Sequence, residues 1–181
     1  MGTRWRLYLP KIRLRLGPVA LLAVGLQALA ILLPTSIGVL RPILHVSSYL
    51  VLLAFVAANW RRLGILVIGI GLVLNFLPIV ANGGLMPVTA QALQRVDQEY
   101  RIEGLDEGDA IPWSKNVYKA KENTRLYLLT DRIVREWGPP ALRIISVGDI
   151  FVAAGLLITL GDLLLPRLQR VPARNSARGE A

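Results

Sequence analysis

The sequence contains no cysteine and only one histidine. Without cysteine the chain forms no disulfide, thiol nucleophile, or cysteine-ligated zinc or iron–sulfur centre. A single histidine also excludes a multi-histidine metal site within one chain. We therefore expect neither a metal ion nor another cofactor.

Charge is also scarce, because only 18% of the 181 residues are charged whereas 54% are hydrophobic. A soluble domain usually has about 25% charged residues. The apolar residues form four runs of 18 or 19 residues with almost no charge, at about 16–33, 43–60, 63–80 and 147–165. A bilayer core of about 30 Å requires roughly 20 helical residues, and the runs lack the alternation of barrel strands. The sequence predicts an all-α fold, an integral membrane helical bundle of four transmembrane helices.

Positive charge predicts the orientation, since basic residues in short loops mark the cytoplasmic side. Basic residues are frequent before the first run, between the second and third, and after the fourth, but the loop between the first and second has only Arg41. We therefore expect a cytoplasmic (bacterial inner) membrane protein with both termini cytoplasmic. The whole chain, 1–181, is interpreted as a single membrane domain. Its segment 81–143 is then extracytoplasmic, and its tail 166–181 is cytoplasmic and without fixed structure.

The same distribution accounts for the formal net charge of +9. The excess charge lies at membrane boundaries, where it meets anionic lipid, and the tail lacks a nucleic-acid-binding motif. We expect the lipid bilayer as a partner, leave open a second membrane protein, and exclude nucleic acid.

The long third loop is predicted to contain short interfacial helices. The first extends from Thr89, as N-cap, to about Glu99. The second extends from Asn123 to Trp137, where apolar residues form one stripe. Such a stripe indicates either a helix in the membrane interface or a helix packed on the ends of the bundle.

Polar side chains in or beside apolar spans are costly and often functional. His45, Asn75 and Asp149 fall at a similar depth near the outer face, and Asn82 follows just beyond, so we interpret them as a polar cluster. Each also has a structural interpretation. Asp149 can close a capping box with Ser146, Asn75 can hydrogen-bond between helices, and His45 can lie among headgroups.

Two resemblances follow from short motifs. The chain resembles an uncharacterised family of small bacterial multi-pass membrane proteins, a domain of unknown function, in NFLP (75–78), NGGLMPV (82–88), LTD (129–131) and SVGD (146–149). Its members often carry one more apolar segment before the basic stretch, and the family implies no activity.

The order of Asp131-Arg132 and then Asp149 is similar to lipoprotein signal peptidase, a four-span protein with an aspartate pair. This resemblance implies Asp131 and Asp149 as catalytic residues that share a proton as acid and base. The Gly- and Asn-containing stretch that precedes the peptidase's Asp-Arg pair is missing here. Three functions stay open: an accessory or partner-binding protein, an intramembrane aspartic hydrolase, and a small transporter.

Overall fold

A computed structural model describes residues 3–8, 14–96, 98–135, 143–165 and 167–172, with the side chains of 3–8, 99, 100 and 167–172 left aside. The α-helices are α1 (Gly17–Leu32), α2 (Leu40–Asn59), α3 (Leu63–Ala81), α4 (Ala90–Gln94) and α5 (Val147–Leu164). The strands are β1 (Thr3–Tyr8), β2 (Met86–Val88), β3 (Asn116–Tyr118), β4 (Ile133–Val134), β5 (Ile144–Ile145) and β6 (Arg167–Pro172).

Each of the four apolar runs forms a helix. Among the described residues, α2, α3 and α5 are long and apolar enough to cross a membrane, while α1 is apolar but has only 16 residues. At about 1.5 Å per residue, α1 is roughly 24 Å long, somewhat less than the hydrocarbon core of about 30 Å. Large apolar side chains are exposed along these helices, as at Leu157 of α5, which is 70% exposed. Such surfaces are typical of helices that face lipid.

Glycines allow α3 and α5 to pack closely along their length. A Cβ atom on Gly71 of α3 would lie 2.5 Å from the carbonyl oxygen of Gly148 on α5, and one on Gly155 would lie 2.6 Å from that of Gly64. Small residues let helix backbones approach each other in membranes, where lipid offers no hydrophobic drive for association. This contact fixes the N-terminal end of α5 beside Asn75.

The segment between α3 and α5 forms a small folded layer on one end of the bundle, called the outer layer here after the side predicted from the sequence. Strands β2 and β3 pair in parallel, and β4 and β5 pair antiparallel. Val88, Leu93 and Ile111 form its buried core. Met86, fully buried, belongs instead to the core of the helical bundle and joins the two layers.

The second predicted helix of this segment, Asn123–Trp137, was wrong. Its described residues form turns, a short 3₁₀ turn at Tyr127–Leu129 and strand β4. Leu126 has a φ of 54°, which no α-helix accommodates. The β-branched pair Ile133–Val134 finds strand partners in Ile145 and Ile144, and Trp137 lies outside the described residues.

The first predicted helix was correct in its start but too long. The Thr89 side chain accepts a hydrogen bond from the Ala92 N–H, as an N-cap does. The α-helix ends at Gln94, and a 3₁₀ turn at Glu99–Ile102 follows.

The two ends of the chain pair with each other, which corrects both the all-α prediction and the unstructured tail. Strand β1 pairs antiparallel with β6, from Thr3 opposite Pro172 to Tyr8 opposite Arg167. Aromatic and β-branched residues in these stretches favour strand over coil. The rest of the tail, 173–181, lies outside the described residues. The pairing places both chain ends at the same end of the bundle.

Candidate functional site

Lys115 joins the two aspartates that the sequence singled out. Its Nζ lies 3.3 Å from Oδ2 of Asp131 and 3.4 Å from Oδ2 of Asp149. Because one nitrogen is within 3.4 Å of both oxygens, the carboxylates are separated by no more than twice that distance. Three residues spread over 34 positions of the sequence thus meet at one ammonium.

The outer layer positions Asp131 and Lys115. Asp131 pairs with Val88 as an isolated bridge beside β2, and Lys115 immediately precedes β3 on the other side of that strand. Asn116, the first residue of β3, donates a hydrogen bond of 2.8 Å from Nδ2 to Oδ2 of Asp131. The side chain of Asp131 is 2% exposed, whereas those of Lys115 and Asp149 are 28% and 29% exposed.

The first turn of α5 positions Asp149. Ser146 is the N-cap, and its hydroxyl accepts from the Asp149 N–H while the Asp149 carboxylate accepts from the Ser146 N–H, so the predicted capping box is confirmed. Oδ1 of Asp149 accepts a hydrogen bond of 2.8 Å from Nδ2 of Asn75 on α3. The Ser146 hydroxyl also donates to Oδ1 of Asn75 at 2.6 Å. The interhelical hydrogen bond expected of Asn75 is therefore present.

Electrostatics couple the groups outside the helices. Burial raises the pKa of Asp131, the positive charge of Lys115 opposes that rise, and the neighbouring Asp149 carboxylate adds to it. Burial acts to lower the pKa of Lys115, but the carboxylates of Asp131 and Asp149 outweigh it and leave that pKa above its ordinary value. Lys115 is thus held as an ammonium between two acids.

The predicted polar cluster divides into separate groups. Asn75 and Asp149 meet as described, but Asn82 bonds elsewhere. Its Nδ2 donates to the carbonyls of Pro78 and Arg125, and its Oδ1 accepts from the Arg125 N–H, so it fastens the end of α3 to the outer layer.

His45 is buried in the bundle and not among headgroups, which corrects one interpretation of it. The residue is 2% exposed and packs edge-on against the Tyr49 ring at a centroid distance of 5.3 Å. Among the residues that the structure describes, neither ring nitrogen has a hydrogen-bond partner. In the described part of the chain, His45 therefore makes no hydrogen bond to Asn75, Asn82 or Asp149 that would complete one cluster.

Arg41 is a further polar residue whose role the sequence did not indicate. It is 1% exposed, and its guanidinium donates to the carbonyl of Ala30 on α1 at 3.0 Å and to that of Ser114 in the outer layer at 2.6 Å. The Ala30 carbonyl lies in the last turn of α1, where no helical N–H is left to satisfy it. Arg41, counted as a loop charge in the sequence, instead joins α1, α2 and the outer layer.

Lys115 and Asn116 were missed because they lie in a charged loop where polar residues are ordinary. Arg41 had a weak signal, since a lone arginine begins an otherwise uncharged helix. Chemically, every carboxylate oxygen of the pair has a donor: Lys115 serves both oxygens of Asp131 and one of Asp149. Asn75 supplies the remaining oxygen, Oδ1 of Asp149. Asn116 and the Ser146 N–H are second donors, to Oδ2 of Asp131 and to Oδ2 of Asp149.

Comparisons with known proteins place the chain in a family without assigning an activity. No curated protein and no solved structure matches it. A family of unknown function matches residues 11–160, which include all four long helices except the last turn of α5, and all of the outer layer. The resemblance to an uncharacterised family is thereby confirmed, while the one to lipoprotein signal peptidase stays a prediction. The chain belongs to the family of unknown function DUF5317.

Proposed function

We propose that this chain is a multi-pass protein of the cytoplasmic membrane with four spans and both termini in the cytoplasm. Pairing of β1 with β6 supports an even number of crossings, because both strands must then lie on one side of the membrane. Three helices between them have spanning length, so α1 supplies the fourth crossing. Arg61 and Arg62, between α2 and α3, favour the cytoplasm for the side on which the chain ends meet.

Within that arrangement the chain acts by binding, as an accessory or partner-binding protein, and not by catalysis. The observation that carries this proposal is the commitment of both carboxylates to Lys115 and to neighbouring N–H donors. Through Lys115, the two ion pairs join α5 to two separate stretches of the outer layer. A catalytic pair of carboxylates does not need such a connection. The cluster therefore supports a fixed outer surface on which a partner is recognised.

A double-mutant cycle tests the structural role without knowledge of a partner. We expect Lys115→Met and Asp131→Asn each to lower the free energy of unfolding, with a coupling energy of about 0.5–3 kcal/mol, as for residues in direct contact. Unfolding of the purified protein in detergent measures all four members of the cycle. Substitution of a catalytic aspartate would instead leave stability unchanged or raise it, and that result would contradict the proposal.

The alternative function is an intramembrane aspartic hydrolase that uses Asp131 and Asp149. It is favoured by one specific observation, the approach of both carboxylates to a single nitrogen at the outer end of α5. A purified protein in bilayers, given a prolipoprotein substrate, would cleave it under this alternative. Cleavage would then be lost in folded Asp131→Asn and Asp149→Asn variants, whereas the binding proposal predicts no cleavage by the unaltered chain.

A further inference from the structure

A cavity of about 470 Å³ lies between α1, α5 and the outer layer, beside the charged cluster. This volume is within the range of about 300–1,000 Å³ typical of ligand sites. Its apolar wall includes Ile31 of α1 and Val152, Ala153 and Leu156 of α5, and its polar end includes Arg101, Lys115 and Asp149. The cavity is thus amphipathic along its length.

The apolar wall is continuous with the lipid-facing surface of the bundle. α1 packs on α2, and α5 packs on α3, so the cavity lies between two helices that do not pack along each other. Leu156 both lines the cavity and is 49% exposed. An acyl chain can therefore enter from the side at the depth of the spans, without crossing the outer layer.

The polar end carries a cation, Arg101, whose contacts with the described residues are to neutral acceptors. The guanidinium of Arg101 donates to the carbonyl of Pro112 and to Oε1 of Gln98, each at 3.3 Å. Among the side chains that the structure describes, no carboxylate pairs with Arg101. Lys115, already held by two carboxylates, still has 28% of its side chain exposed. Arg101 therefore offers its positive charge to an anion, whereas the charge of Lys115 is already balanced by Asp131 and by Asp149, which also lines this end.

We propose that the cavity binds a membrane phospholipid, with its phosphodiester at Arg101 and one acyl chain between α1 and α5. Arginine is suited to the phosphodiester because its planar guanidinium matches phosphate oxygens in a bidentate geometry. The apolar wall selects a lipid over a free phosphate. The inference rests on the proposed placement in the membrane but is independent of partner binding.

Photo-crosslinking in liposomes tests the site directly. The probe is phosphatidylglycerol with a diazirine in one acyl chain, and labelled peptides are identified after proteolysis. We expect labelling on α1 near Ile31 and on α5 near Leu156. Arg101→Gln should reduce it about tenfold, the effect of losing one charge-assisted hydrogen bond.

Two neighbouring alanines of α5 give a matched pair of controls. Ala153 lines the cavity and Ala154 does not, so Ala153→Trp should fill the site and abolish this labelling while Ala154→Trp leaves it intact. Equal labelling in the two tryptophan variants would overturn the proposal, as would equal labelling by a diacylglycerol probe that lacks phosphate. Labelling near the exposed Leu50 of α2 reports membrane placement separately, so its loss would identify a failure of the proposed topology.

Discussion

Asp131 is the residue most dependent on its neighbours, because its carboxylate is almost fully buried and Lys115 is its only ion-pair partner among the described residues. We predict that Lys115→Met lowers the free energy of unfolding by about 3 kcal/mol, since removal of one partner leaves a buried charge unpaired. Lys121→Met is the control, because Lys121 is exposed and contacts only the Tyr127 ring in the described contacts. Its effect should stay below about 1 kcal/mol. Chemical unfolding in detergent measures both, and equal losses would contradict the burial argument.

The raised pKa of Asp131 determines the direction in which the free energy of unfolding changes with pH. Burial raises the pKa of Asp131 above its ordinary value of 3.8, so the folded chain binds that proton more tightly than the unfolded chain. Its contribution to stability is present below the unfolded pKa and is lost as pH rises through the folded pKa. We predict that the free energy of unfolding, taken relative to Asp131→Asn, falls as the pH rises above about 4. A difference that grows with pH over this range would show that the folded pKa is lowered.

The sequence indicated a site residue only where that residue differed in polarity from its neighbours in the chain. Asn75 and Asp149 stood out because they are polar groups within apolar runs, and the motif Ser146-x-x-Asp149 indicated its own hydrogen bonds. Lys115 is one of many charged residues in the outer segment. Its contact with Asp149 spans 34 positions and depends on the strand pairs of that layer.

At the scale of elements, glycines determine how closely α3 and α5 approach. We predict that Gly71→Ala lowers the free energy of unfolding by about 1–3 kcal/mol, as overpacking does, because the new methyl would meet the backbone of Gly148 and Val152. Gly25→Ala in α1 is the matched control, since nothing lies within 4 Å of a Cβ atom there. That change should be neutral or stabilising by up to about 1 kcal/mol, the difference in helix propensity. Equal destabilisation by both would contradict the close helix contact.

The long helices were predictable and the outer layer was not, for a physical reason. An apolar run of 18 residues in a membrane satisfies its backbone groups only as a helix or a closed barrel. In the outer layer, water and neighbouring strands offer other partners. The apolar stripe at Leu126, Leu129 and Ile133 therefore predicted a helix, although β5 provided a strand partner for Ile133. Apolar spacing alone does not distinguish these outcomes in a short segment.

At the scale of the whole molecule, charge and strand pairing support one topology from separate evidence. Basic residues flank the first, third and fourth apolar runs on the side predicted to be cytoplasmic, and β1 and β6 meet at that same end. Together they support the four spans proposed above, because three crossings would leave β1 and β6 on opposite sides of the membrane. The short α1 is therefore the element on which the topology depends.

Single cysteines in this cysteine-free chain test that topology most directly. The variants Thr3→Cys, Glu122→Cys and Ser176→Cys are each treated with a membrane-impermeant maleimide, first in intact spheroplasts and then after permeabilisation. We predict that Glu122→Cys is labelled in intact spheroplasts, whereas Thr3→Cys and Ser176→Cys are labelled only after permeabilisation. Labelling of Thr3→Cys in intact spheroplasts as strong as that of Glu122→Cys, with Ser176→Cys still protected, would place the chain ends on opposite sides and contradict four spans.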